Sequence, residues 1–173
     1  MTKEKTINLS SNRTICKASI DDLSIVMGLI EQGKAKMIKA GNPNQWSASY
    51  PAESTIRRDI AQSVCYLIHE CGKPIATFVA KEGPETNYHR IDNGSWLDDQ
   101  PYYVIHRVAS VEGVHGVMAD IIKYCSALTS SIRIDTHADN RPMQASLARL
   151  GFMYCGIIYV ENGDSRLAFQ CVF

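Results

Sequence analysis

The chain has 173 residues, 45% hydrophobic and 21% charged, and its 18 basic and 18 acidic side chains cancel. That length suits a single domain around one core, and the interspersed, balanced charge lacks the basic footprint of a nucleic-acid binder. No apolar run approaches the roughly 20 residues of a membrane helix, and with no apolar leader the expected location is the cytoplasm. Six cysteines (16, 65, 71, 125, 155 and 171) make no CxxC pair and no metal-ligand cluster. Reduced, packed thiols and no bound metal are therefore expected.

Residues 1–13 are polar and read as a flexible segment, leaving one domain over 14–173. A short strand over 14–17 leads through Ser19-Ile20-Asp21-Asp22 into a helix whose apolar face carries Leu23, Val26, Met27 and Ile30. That helix runs on to Met37 and breaks at Gly41-Asn42-Pro43-Asn44. Trp46 and Tyr50 follow in a loop before a second helix over 54–62 with Ile56 and Ile60 on one side. Strands over 64–69 and 74–80 flank the turn Glu70-Cys71-Gly72-Lys73. Residues 83–101 form a long polar loop, a kind usually functional or mobile. The next strand, 102–110, is apolar enough to sit inside a sheet. A helix over 116–128 sets Val117, Ile121, Cys125 and Leu128 on one side. Two last strands, 152–160 and 166–173, join at Glu161-Asn162-Gly163-Asp164, whose Asn-Gly centre is a hairpin signal.

Between them lies the most specific stretch, SIRIDTHADNRPMQASLARLGF at 131–152. Ile132, Ile134 and Thr136 alternate along a strand. Asn140 suits a helix N-cap, and Pro142 falls in the first turn, where its missing N–H does no harm. Met143, Leu147 and Leu150 share a helical face, and Gly151 supplies the stop. The order is β-α-α-β-β-β-α-β-α-β-β, so the sheet should be mixed, with helices on both faces.

Asn140, the Gly151-Phe152 restart and this element order together resemble the GNAT acetyltransferase superfamily over roughly residues 14–173. The resemblance implies an α/β (α+β) fold with a mostly antiparallel central sheet. It implies acetyl-CoA as cosubstrate and direct transfer of acetyl to a primary amine: a small molecule, a protein or peptide N-terminus, or a lysine. Oligomeric state stays open, with a homodimer compatible.

A Gly-containing turn opening a helix offers unpaired N–H groups and the positive end of the helix dipole to an anion. By resemblance, Gly113, Val114, His115, Gly116 and Val117 would hold the coenzyme pyrophosphate, with Gly116 matching the family glycine and Gly113 standing where the family has Arg or Gln. His115 and Arg141 are the basic residues expected nearby. Val108, Ala109 and Ser110 would pair through backbone groups with the pantetheine arm on a strand splayed from its neighbour, and Asn140 would reach toward the same arm. His106 falls at the register of the family's general base, and an imidazole can serve near neutral pH; His137 is the second candidate. Where the family's general acid is a Tyr, this chain has Leu147. That leaves Tyr154, water, or unassisted departure of a thiolate. Trp46 and Tyr50, or Trp96 with Asp98 and Asp99, are candidate acceptor walls. An acyl-CoA-binding module without turnover is the alternative function, and a purely structural domain the third.

Overall fold

The computed structural model describes Leu9 and residues 12–173. Its strands are β1 (Arg13–Lys17), β2 (Cys65–Glu70), β3 (Lys73–Glu82), β4 (Tyr103–Ser110), β5 (Ser131–Thr136), β6 (Met153–Tyr159) and β7 (Ser165–Val172). The helices are α1 (Leu23–Lys39), α2 (Glu53–Ala61), α3 (Val117–Ser126) and α4 (Arg141–Arg149), in the expected order. One sheet runs β1-β2-β3-β4-β5-β7-β6, antiparallel throughout except where β4 meets β5. Most of the expected flexible segment lies outside the described residues. Arg13, assigned to that segment, instead opens β1, and its guanidinium reaches Glu70 at 2.8 Å and Asp120 at 2.9 Å.

Strand alternation feeds two cores on opposite faces. Leu67 joins Val26, Leu29, Ile30 and Ile60 beneath α1 and α2, while its neighbour Ile68 joins Ile121, Ile132 and Leu147 beneath α3 and α4. The buried residues of α1 recur at helical spacing and end on Gly33. A Cβ there would lie 2.7 Å from Ala109 Cβ, so glycine lets α1 close on β4. Among the described residues, no helix is long and apolar enough to cross a membrane.

Segment 83–101 is a packed cover where a mobile loop was one expectation. Tyr88 and Trp96 form a third core with Val104, Ile158 and Ala168. Arg133 stacks under Trp96 and Tyr102, its guanidinium carbon 4.4 and 3.9 Å from the two ring centroids. Asp92 bridges to Ile157, and Leu97 N–H donates to Gln170 Oε1 at 2.8 Å. The segment does for one half of this face what α1 and α2 do for the other.

Candidate active site

Two irregularities in β4 open the sheet. Opposite β3, Val79 pairs with His106 and Thr77 with Ala109, so Arg107 and Val108 together face the single Phe78. This is a β-bulge, and Arg107 carries it at φ +52. Its side chain bonds Asp59 of α2 at 2.9 Å and the Tyr50 hydroxyl at 3.0 Å. Opposite β5, pairing stops after Tyr103–Ile132 and Val104–Arg133. Beyond Val104 the two strands part, and a cleft of about 240 Å³ lies beside the unpaired stretch, lined in part by residues 105–110. The splay expected by resemblance is therefore present, and Val108, Ala109, Ser110, Val117 and Asn140 all line the cleft.

At one end of this cleft the chain turns into α3. Gly116 is the N-cap at φ +77, and among the described residues no side chain caps the helix. The first N–H groups of α3 are thus open to an anion. Gly113 also has positive φ, +77, and forms the preceding turn with Val114 and His115. Two cations that the sequence did not flag stand close. Arg13 Nη1 donates to His115 O at 2.8 Å, although Glu70 and Asp120 already engage its charge. Lys36 of α1 lines the cleft and donates to Ser110 Oγ at 2.8 Å and Val111 O at 3.2 Å; burial lowers its pKa.

On the other side, Asn140 caps α4 as expected, accepting from Met143 N–H at 3.2 Å. Its amide nitrogen donates to Gln45 Oε1 at 2.9 Å. The same oxygen receives Asn42 Nδ2, Thr136 Oγ1 and the His137 backbone N–H. Gln45, a residue absent from the sequence reading, therefore pins the α1–α2 loop to the turn between β5 and α4. His137 sits in that turn, where Nδ1 accepts from Asp139 N–H at 3.1 Å, and it does not line the cleft.

His106 does line it, and is mostly buried. Nε2 lies 3.1 Å from Glu85 Oε2, and Nδ1 lies 3.9 Å from Asp135 Oδ1, which accepts from the Tyr88 hydroxyl at 2.7 Å. Glu85 is also held by Lys81 Nζ at 2.7 Å. The bond to His106, helped by Lys81, outweighs burial and pulls the Glu85 pKa down from 4.5 to about 2. A depressed carboxylate stabilises the fold fully above its unfolded pKa, and that stabilisation disappears as pH falls through the folded value. Between about pH 4.5 and 2, Glu85→Gln should therefore flatten the acid loss of stability, read as the denaturation midpoint against pH. A parallel acid limb in both proteins would contradict this.

The remaining candidates divide. Trp46 lines the cleft and meets Tyr50 edge-on at 6.3 Å. Trp96 and Asp98 belong to the cover over β5 and β7, with Asp98 O accepting from Arg133 at 2.6 Å, and neither lines the cleft. Leu147 is fully buried in the core under α3 and α4, where the family places its acid, and Tyr154 is half exposed against Phe169, away from the cleft.

No protein-family model and no curated protein sequence matches the chain. Solved structures do. A GNAT-family acetyltransferase from Streptococcus agalactiae is 29% identical, with 93% of this chain and 95% of that one covered and a TM-score of 0.84. One from Listeria monocytogenes is 16% identical over 93% and 95% at a TM-score of 0.67. The ribosomal-protein-S18-alanine N-acetyltransferase of Escherichia coli is 14% identical over 92% and 93% at 0.61. The last two bear on the fold alone.

Proposed function

We propose, from the GNAT superfamily fold that this chain carries, that it is an acetyl-CoA-dependent N-acetyltransferase acting on a primary amine. The observation that supports this most is the parting of β4 from β5 beside a helix with open N–H groups, with a half-partnered imidazole on the same cleft wall. The residues present fit the coenzyme. Val117 and the turn from Gly113 to Gly116 would meet its phosphates through backbone N–H groups, with Lys36 adding charge. Unpaired backbone at Val108, Ala109 and Ser110 would meet its amide arm, with Asn140 across the gap.

Bound acetyl-CoA would supply an acetyl thioester whose C–S bond breaks as the amine forms its C–N bond. The acceptor arrives as an ammonium ion and reacts only once neutral, so a group on the wall must take a proton. His106 is placed for that. The position where the family carries its acid is the buried core residue Leu147, so the sulfur would depart as a thiolate without that donor. Of the amine's three protons, one goes to His106 and then to water, one protonates the thiolate and one stays on the amide.

A coenzyme-binding module without turnover is the second reading, favoured by Leu147 and by Gly113 standing where the family has Arg or Gln. Melting with and without acetyl-CoA, then free-thiol release over an amine panel, separates them. A raised midpoint is expected, because a ligand of the native state stabilises it by mass action, together with thiol release on at least one amine. A raised midpoint with no release on any amine would favour the module, and an unmoved midpoint would defeat both readings.

A further inference from the structure

Segment 83–101 does more than cover the sheet: it carries Glu85 to His106. Resting on the reading of His106 as base, we propose that Glu85 is the positioning residue of this site. It holds His106 as the Nε2–H tautomer and so presents Nδ1 as the proton acceptor for the amine.

The argument begins with what each atom can do. An ionised carboxylate only accepts hydrogen bonds. At 3.1 Å from Glu85 Oε2, His106 Nε2 must therefore carry a proton, for otherwise two lone pairs would face each other. Nδ1 is then the basic nitrogen. Its nearest carboxylate oxygen, Asp135 Oδ1 on β5, is at 3.9 Å, beyond hydrogen-bond reach, so among the described residues Nδ1 has no partner and keeps its lone pair for a ligand. The groups around this pair come from every neighbouring element: Lys81 from β3, Glu85 and Tyr88 from the cover, and Asp135 from β5. Arg107, next along β4, is turned away to Asp59 and Tyr50.

The proton step balances. An R–NH3⁺ acceptor gives one proton to Nδ1, leaving R–NH2 and an imidazolium between two carboxylates. After transfer the imidazolium returns that proton to water and the resting tautomer is restored. Lys81 matters because its Nζ binds the same oxygen, Oε2, at 2.7 Å, and so holds that acceptor at the ring.

The test reads the tautomer on the resting protein, by long-range proton–nitrogen correlation on 15N-histidine at a pH where the ring is neutral. The parent should show His106 as Nε2–H; an Nδ1–H signal there overturns the proposal without any variant. In Glu85→Gln, Lys81 still draws the amide oxygen to the place of Oε2, where it can accept from Nε2–H as well, so the tautomer should persist; Glu85→Ala removes the acceptor altogether. In Glu85→Ala, with Asp135 left as the carboxylate beside the ring, His106 should shift toward Nδ1–H, and turnover should fall on the order of 10²-fold with acetyl-CoA affinity unchanged, while Glu85→Gln stays near the parent in both. In a His106→Gln background, Glu85→Ala should cost nothing more. An unchanged tautomer in Glu85→Ala, or losses that multiply in the double variant, would make Glu85 an anchor of the cover only. Because the tautomer is read without substrate, absence of acetyl transfer would defeat the proposed function while still deciding what Glu85 does.

Discussion

Replacing His106 by Gln is expected to lower turnover on the order of 10²-fold and to leave acetyl-CoA affinity nearly untouched. Glutamine keeps a polar side chain of similar reach and can still donate to Glu85, so the local packing should persist. What it lacks is a site that takes a proton near neutral pH. Proximity of the bound reactants survives the change, which is why the loss is partial. Raising the pH should recover part of it, because an alkyl amine with a pKa of about 10.4 is increasingly neutral in solution before it binds. Turnover equal to the parent across neutral pH, on a verified acceptor, would make His106 a sheet residue held by Glu85 and no more.

The second large effect is expected at Gly116. An Asp there meets only Arg13 Nη1 at 3.6 Å from the new Cβ, an ordinary contact, so the fold should survive. The left-handed backbone, φ +77, costs a residue with a Cβ about 1–2 kcal/mol, and Asp tolerates it better than most. Its carboxylate can cap α3 by accepting from Met118 or Ala119 N–H, the donors a phosphate would need. With a negative charge added at the same point, coenzyme affinity should fall at least tenfold, about 1.4 kcal/mol. Calorimetry on a variant that melts near the parent checks this; unchanged affinity would put the phosphate site elsewhere.

What could be read from the sequence was local. Periodicity and capping located each strand and helix to within a few residues, and Gly116 and Asn140 were found because an N-cap is a short-range pattern. Leu147 was recognised as a departure from the family, and its burial supplies the reason: α4 turns that position into the core. The unread residues act at a distance. Glu85 reaches His106 across 21 positions and Gln45 reaches Asn140 across 95, contacts that no window of sequence contains. Gly33 did leave a trace, since a glycine inside a helical pattern often marks close approach of another backbone. The length of segment 83–101 was visible, but a long polar stretch does not say whether it hangs free or packs. Trp96 and Arg133, 37 positions apart by number, settle that only when folded together.

The bulge at Arg107 has a consequence for anyone re-engineering this protein. A non-glycine residue at positive φ is a strained choice, of the order of 1–3 kcal/mol, and it persists because its surroundings over-determine it. Here those surroundings are Asp59 and Tyr50, one in α2 and the other in the loop just before it. The loop that carries Tyr50 and the shape of the strand beneath it are thus coupled as one module. Grafting in a foreign loop without a hydroxyl at position 50 would leave Arg107 with Asp59 as its one remaining side-chain anchor among the described residues. Libraries meant to reshape the cleft would do better to vary Trp46, which lines it, while holding Tyr50, Asp59 and Arg107 constant.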